Sequence, residues 1–369
     1  MARYKNRDNL HFSWNRQLGY QKLYNFVIGA RESGKSVDSW LHIDKAFYKW
    51  HRPSIIIKRR PADITSVYVD DIEKILNKFL IDPIEVKYFK GDLSSGIVDL
   101  KLVKAGEHVT PKQIKELPTF IRIIALNVPS SRFKSLMLSD VKYMFIDEFI
   151  CNTRAKEKYL ADEAFKIKEI YTTYNREAST PIQIIAAGNP YSVYCPLFTS
   201  LNVDTRVLKP GAFVVGSNYT IDCFELSEEL KAVILKNNPM YEFDDSYARY
   251  AFSGESINDS NIRLHKLEPK GFKLKYIFKF GSDFLSVHVG QGDDFRYWCC
   301  KHSPDWLKKI GKRREVLVLN FQDMIDGSRK IGVKDSIEFL KLKECFDCRQ
   351  VTFNCIDAHY MLEELYTSL

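Results

Sequence analysis

Gly29-Ala30-Arg31-Glu32-Ser33-Gly34-Lys35-Ser36 decides the reading of this chain. It matches the pattern G-x-x-x-x-G-K-[S/T] in full. The apolar run Phe26-Val27-Ile28 enters it, and a segment with Val37, Trp40, Leu41 and Phe47 on one helical side leaves it. Strand, glycine loop and helix in that order make a phosphate cradle, because backbone N–H groups at a helix N-terminus converge on an anion. The glycines permit backbone angles that other residues resist. Lys35 is suited to reach the β- and γ-phosphates and the Ser36 hydroxyl to hold Mg2+. Gly29, Ala30, Arg31, Glu32, Ser33, Gly34, Lys35 and Ser36 are therefore expected to surround bound ATP.

Hydrolysis needs a second element, and Tyr143-Met144-Phe145-Ile146-Asp147-Glu148 provides it. This apolar strand ends in two acids. Asp147 is suited to join Ser36 in holding Mg2+, and Glu148, one residue on, to polarise the attacking water. A third strand, Ile184-Ile185-Ala186-Ala187, ends in Gly188-Asn189-Pro190. There Asn189 is a candidate to touch the γ-phosphate or the water. Arg132, Lys134, Arg154 and Arg176 lie between or beside these motifs. Lys134 and Arg176 are the favoured candidates to act in trans on a neighbouring subunit's site. Lys58-Arg59-Arg60 is expected beside the base and sugar of the nucleotide, or facing nucleic acid.

Working outward, the first half alternates apolar runs with helical patterns, which predicts a mainly parallel α/β sheet. Leu23–Ile28, Ser54–Lys58, Phe120–Leu126, Tyr143–Ile146 and Gln183–Ala187 read as buried strands. Ser36–Trp50, Ile72–Leu80 and Leu160–Tyr174 read as helices, and Ile84–Val109 as a hairpin. The character changes near Thr205. A charged helix, Glu225–Asn237, then precedes strand-like runs at Lys275–Phe280, Phe284–Val289 and Phe295–Cys300. Two domains are expected: a motor domain over 1–205 and a smaller α+β domain over 206–369.

The 369 residues exceed one comfortable core. No apolar run approaches the ~20 residues that span a bilayer, and Met1–Gln21 is polar, so a cytoplasmic protein without membrane contact is expected. A net charge of +8 is modest for this length, which argues against a wholly polyanion-binding surface. Basic residues do crowd Lys301–Arg314, with Trp298 and Trp306 alongside, a stretch fit to meet phosphates or simply to be solvated. Eight cysteines read as reduced thiols. Cys345, Cys348, Cys355 and His359 have ligand-like spacing, which leaves a zinc site open.

The residues around these motifs resemble the small genome-packaging ATPases of Picovirinae-type, terminal-protein phages. The resemblance rests on Asn25-Phe26-Val27-Ile28-Gly29-Ala30-Arg31, Ile57-Lys58-Arg59-Arg60, Phe145-Ile146-Asp147-Glu148-Phe149-Ile150, Asn175-Arg176-Glu177 and Asn189-Pro190-Tyr191, and is strongest over residues 20–200. It implies an ASCE-type P-loop NTPase domain and a reduced RNase H-like C-terminal domain that binds DNA, portal or RNA. It also implies a homo-oligomeric ring, a pentamer, docked on the portal of a prohead in the host cytoplasm. That ring would pump double-stranded DNA at the expense of ATP, with a packaging RNA among the partners it admits. Nuclease activity is not expected, since no acidic cluster assembles from Asp283 and Asp293-Asp294. Another ring-forming ASCE translocase or helicase, or a non-motor nucleotide-binding protein, are the alternative readings.

Overall fold

All six residues of Tyr24–Gly29 (β1) are buried, and the short helix Asn15–Gly19 (α1) precedes them. In this computed structural model residues 4–5, 9–152, 157–160, 162–192, 195–238, 264–291, 295–310, 315–318, 323–331, 333–347 and 350–368 are described. The glycine loop opens into Lys35–Trp50 (α2), with Gly34 in the left-handed region at φ 86° as its N-cap. Ser54–Lys58 (β2) is buried throughout, its three isoleucines forming part of the core. Ser66–Phe79 (α3) begins earlier than its apolar spacing alone suggests, because the Thr65 side chain caps it by accepting from the Tyr68 N–H. The expected hairpin forms from Ile84–Lys87 (β3) and Ile97–Lys104 (β4), antiparallel with Ile84 opposite Lys104.

Pro111–Glu116 (α4), Ile121–Ala125 (β5), Ser130–Lys134 (α5), Tyr143–Asp147 (β6), Glu163–Asn175 (α6) and Gln183–Gly188 (β7) continue the unit. Pro196–Ser200 (α7), Phe213–Val215 (β8), Tyr219–Phe224 (β9) and Glu228–Asn237 (α8) follow. Nine strands make one sheet in the order β3-β4-β5-β2-β6-β7-β1-β9-β8. The six strands from β5 to β9 in that order are parallel, and the outer β4, β3 and β8 are antiparallel. One detail is diagnostic. The acidic strand β6 does not touch the loop strand β1, because β7 is inserted between them. This is the ASCE arrangement, and it brings three C-terminal strand ends to one edge of the sheet. Ligands of open α/β sheets bind at that edge.

The two compact units are Met1–Ile257 and Asn258–Leu369. The stretch just past Thr205 thus packs with the first unit, although its composition differs from what precedes it. β9 pairs with β1 along its whole length, from Tyr24 opposite Tyr219 to Gly29 opposite Phe224, and so covers an edge that β1 would otherwise expose.

The second unit contains Lys273–Phe280 (β10), Asp283–Val289 (β11), Tyr297–His302 (β12), Pro304–Ile310 (α9), Val316–Val318 (β13), Ser328–Lys330 (β14), Val333–Asp347 (α10), Val351–Phe353 (β15) and Ile356–Ser368 (α11). Its strand order is β14-β13-β10-β11-β12-β15. Strands β10 to β12 form an antiparallel meander, while β13 runs parallel to β10 and β14 to β13, the order of an RNase H-like sheet. Phe278, Leu285, Val287, Phe339, Leu342, Leu362 and Leu365 form its core. Among the described residues no helix is long and apolar enough to cross a membrane.

Candidate nucleotide site

The loop after β1 is shaped by two left-handed residues, Glu32 at φ 59° and Gly34 at φ 86°. Ser33 Oγ donates to the Ala30 carbonyl at 2.8 Å, which ties the loop across its own base. Gly29 packs closely on β9, since a Cβ there would lie 3.1 Å from the Phe224 carbonyl oxygen. Lys35 is buried. Its Nζ donates to the carbonyls of Gly29 at 2.8 Å and Ala30 at 2.6 Å and to Ser33 Oγ at 3.0 Å. Burial pushes its ammonium down to about 7, against the opposing pull of Asp147.

The three motifs found in the sequence meet here. Ser36 Oγ lies 3.3 Å from Asp147 Oδ1 at the end of β6. Lys35 Nζ lies 3.4 Å from Asn189 Oδ1, just past β7. Glu148 follows Asp147 in the left-handed region at φ 57°, an unusual conformation for a non-glycine residue and one that clusters at functional sites. Desolvation and then the Asp147 charge raise its carboxyl above the ordinary range, although the residue itself is exposed. Gly188 lets the β7 exit pass this corner, since a Cβ there would meet the Phe149 ring at 2.8 Å.

A hydroxyl and a carboxylate 3.3 Å apart are oxygen donors of the kind a hard divalent cation takes. Among the described residues no group of three or more His, Cys, Asp or Glu is placed to hold a metal. That donor set suits Mg2+, which binds through one or two protein oxygens and the phosphates it accompanies.

Lys58 and Arg59 depart from expectation. Neither side chain faces outward: Lys58 pairs with Asp147 at 2.8 Å and Arg59 with Glu163 at 3.0 Å, both nearly buried. Arg59 also donates to the carbonyls of Glu148 at 3.2 Å and Phe149 at 3.3 Å, so it clamps the backbone turn that carries Glu148. Tyr68 was missed as well. Its hydroxyl donates to Asp147 Oδ2 at 3.1 Å. The Thr65 cap marks where α3 begins, but no local signal directs Tyr68 to Asp147.

Lys134 and Arg176 are not part of this constellation within one chain. Lys134 donates to Glu169 on α6 at 2.6 Å, a carboxylate that Ser130 also engages. Arg176 is exposed at the C-terminal end of α6, about 20 Å of helix away from Glu163 and the Arg59 clamp. Arg154, Cys348, Asp293, Asp294 and Lys312 to Arg314 lie outside the described residues. His359 is packed among Phe346, Phe353 and Tyr360 with ring centroids 5.0 Å away. Asp283 is paired with Lys301, and the central strand β10 of the second unit carries no carboxylate at all.

No protein-family model matches the chain. Two curated relatives, the DNA packaging proteins of Bacillus phages PZA and phi29, are each 23% identical to it over 344 residues. The match covers 92% of this chain and 91% of each relative. The chain is similar to phage DNA packaging proteins over most of its length. Among solved structures, the Phi-28 gp11 DNA packaging motor superposes over 98% of both chains with a TM-score of 0.67 at 15% identity. The bacteriophage Phi-29 genome packaging motor assembly gives 0.63 at 19% identity, over 98% of this chain and 99% of that one. Agreement over 98% of this chain shows that the likeness in fold extends to both units.

Proposed function

We propose that this chain is the ATPase of a DNA-packaging motor, hydrolysing ATP to drive double-stranded DNA into a phage prohead. The observation that carries the reading is the meeting of Lys35, Ser36, Asp147, Glu148 and Asn189 at one sheet edge, in a chain similar end to end to phage DNA packaging proteins.

The loop from Gly29 to Ser36 would hold the phosphates of ATP, with Lys35 exchanging its loop carbonyls for phosphate oxygens. Ser36 and Asp147 would hold Mg2+, whose chemistry is to neutralise charge on the β- and γ-oxygens. Glu148, its carboxyl raised by desolvation and by Asp147, would accept a proton from the attacking water. Asn189, in reach of Lys35, would report loss of the γ-phosphate through β7. Lys134 and Arg176 would serve a neighbouring subunit of a homo-oligomeric ring, a pentamer. The second unit would bind DNA, the portal or a packaging RNA, and the ring would work in the host cytoplasm on the prohead.

The test is phosphate release from ATP with and without double-stranded DNA of random sequence. DNA is expected to stimulate turnover, and the stimulation is expected to fade with added salt, as phosphate contacts do. Turnover indifferent to DNA at every salt concentration would point instead to a non-motor nucleotide-binding protein.

A further inference from the structure

Lys58 closes β2, yet its ammonium is turned inward. Side-chain exposure is 9% for Lys58 and 8% for its partner Asp147. The Nζ atom lies 2.8 Å from Asp147 Oδ2 and 3.7 Å from the centroid of the Tyr68 ring. Tyr68 donates its hydroxyl to the same Oδ2 at 3.1 Å, while Oδ1 accepts from Ser36. Three elements thus converge on one carboxylate: α2 through Ser36, β2 through Lys58 and α3 through Tyr68. A buried ammonium is unfavourable unless a counter-charge faces it, and the reverse holds for the carboxylate. The aromatic face beneath Nζ adds a cation–π contact that fixes the ammonium laterally.

We propose that Lys58 is the built-in counter-cation of Asp147, a positioning residue that keeps this carboxylate aimed at Ser36, and that Lys58 and a divalent cation compete for it. This rests on the reading of Ser36 and Asp147 as the metal-holding pair. The consequence is an order of binding. Without nucleotide the lysine holds the carboxylate and a bare metal ion gains little there. A triphosphate brings negative charge of its own, and the metal that travels with it can then take the carboxylate from the lysine.

The test is Mn2+ binding to the full chain without nucleotide, followed by the paramagnetic signal of the free ion. Lys58→Met is expected to bind Mn2+ at least roughly tenfold more tightly than the native chain, because an unshielded carboxylate attracts the ion. Lys58→Arg is expected to behave as the native chain. Adding Asp147→Asn to Lys58→Met is expected to abolish the gain. Equal or weaker Mn2+ binding by Lys58→Met overturns the proposal. If Lys58→Met fails to fold, thermal melting of the double variant decides. Melting near the native temperature locates the cost in the unpaired carboxylate and supports the proposal, whereas an unfolded double variant overturns it. Binding of Mn2+ with ADP tests the underlying reading separately. Equal binding by the native chain and by Asp147→Asn would refute the metal pair whatever Lys58 does.

Discussion

Lys35, Ser36, Asp147, Glu148 and Asn189 could be picked out before any coordinates because each chemistry demands one residue type at a fixed point of a strand–loop–helix pattern. Lys58, Arg59 and Tyr68 could not be placed the same way. Their partners, Asp147 and Glu163, lie 79 to 104 residues away in the chain, and nothing local announces the pairing. A basic run after a strand reads equally well as a solvated turn. The structure shows instead that Arg59 fixes the backbone of Glu148 and Lys58 the side chain before it. At this scale the account makes one sharp demand. Glu148→Gln should retain ATP binding, measured by quenching of a fluorescent ATP analogue, while turnover falls on the order of 100-fold or more. Turnover within a factor of two or so of the native chain would remove Glu148 from the role of base.

At the scale of elements, the strands of the first sheet were legible because parallel strands buried on both faces are runs of isoleucine, valine and phenylalanine. β8 and β9 were not assigned to that sheet. Pairing Tyr24 with Tyr219 closes a loop of nearly 200 residues, and no local pattern encodes it. In the second unit α11 carries a histidine of interest. His359 stands among three aromatic rings, its buried Nδ1 has no hydrogen-bond partner among the described residues, and burial lowers it to about 4. His302, stacked on Trp306, is also lowered to about 4, by burial and then by His288. An unfolded histidine takes its proton near 6.5, so between 6.5 and 4 the unfolded chain binds more protons than the folded one. Stability contributed by these groups is present above 6.5 and is lost as pH falls toward 4. Thermal melts of the full chain across that window should show this loss. His359→Leu should reduce its slope, by up to roughly 1.4 kcal/mol per pH unit. An unchanged slope would mean that the ring is not held neutral by its surroundings.

For the whole molecule, the motifs of the first unit announced a nucleotide-hydrolysing machine, but its task was legible only through resemblance. A P-loop, an acidic pair and a polar strand end are compatible with many motors. The second unit was harder still. Short strands such as Val316–Val318 and Ser328–Lys330 have too few residues for a periodic signal, yet they complete the RNase H-like order. That unit keeps the order of an RNase H-like sheet, and its central strand Lys273–Phe280 carries no carboxylate. The most direct measurement is protection of genome-length double-stranded DNA from added nuclease by purified proheads, this protein and ATP. The account predicts protected DNA with the native chain and none with Glu148→Gln, although that variant binds ATP. Protection by Glu148→Gln equal to native, or vigorous DNA-stimulated hydrolysis with no DNA ever protected, would contradict it.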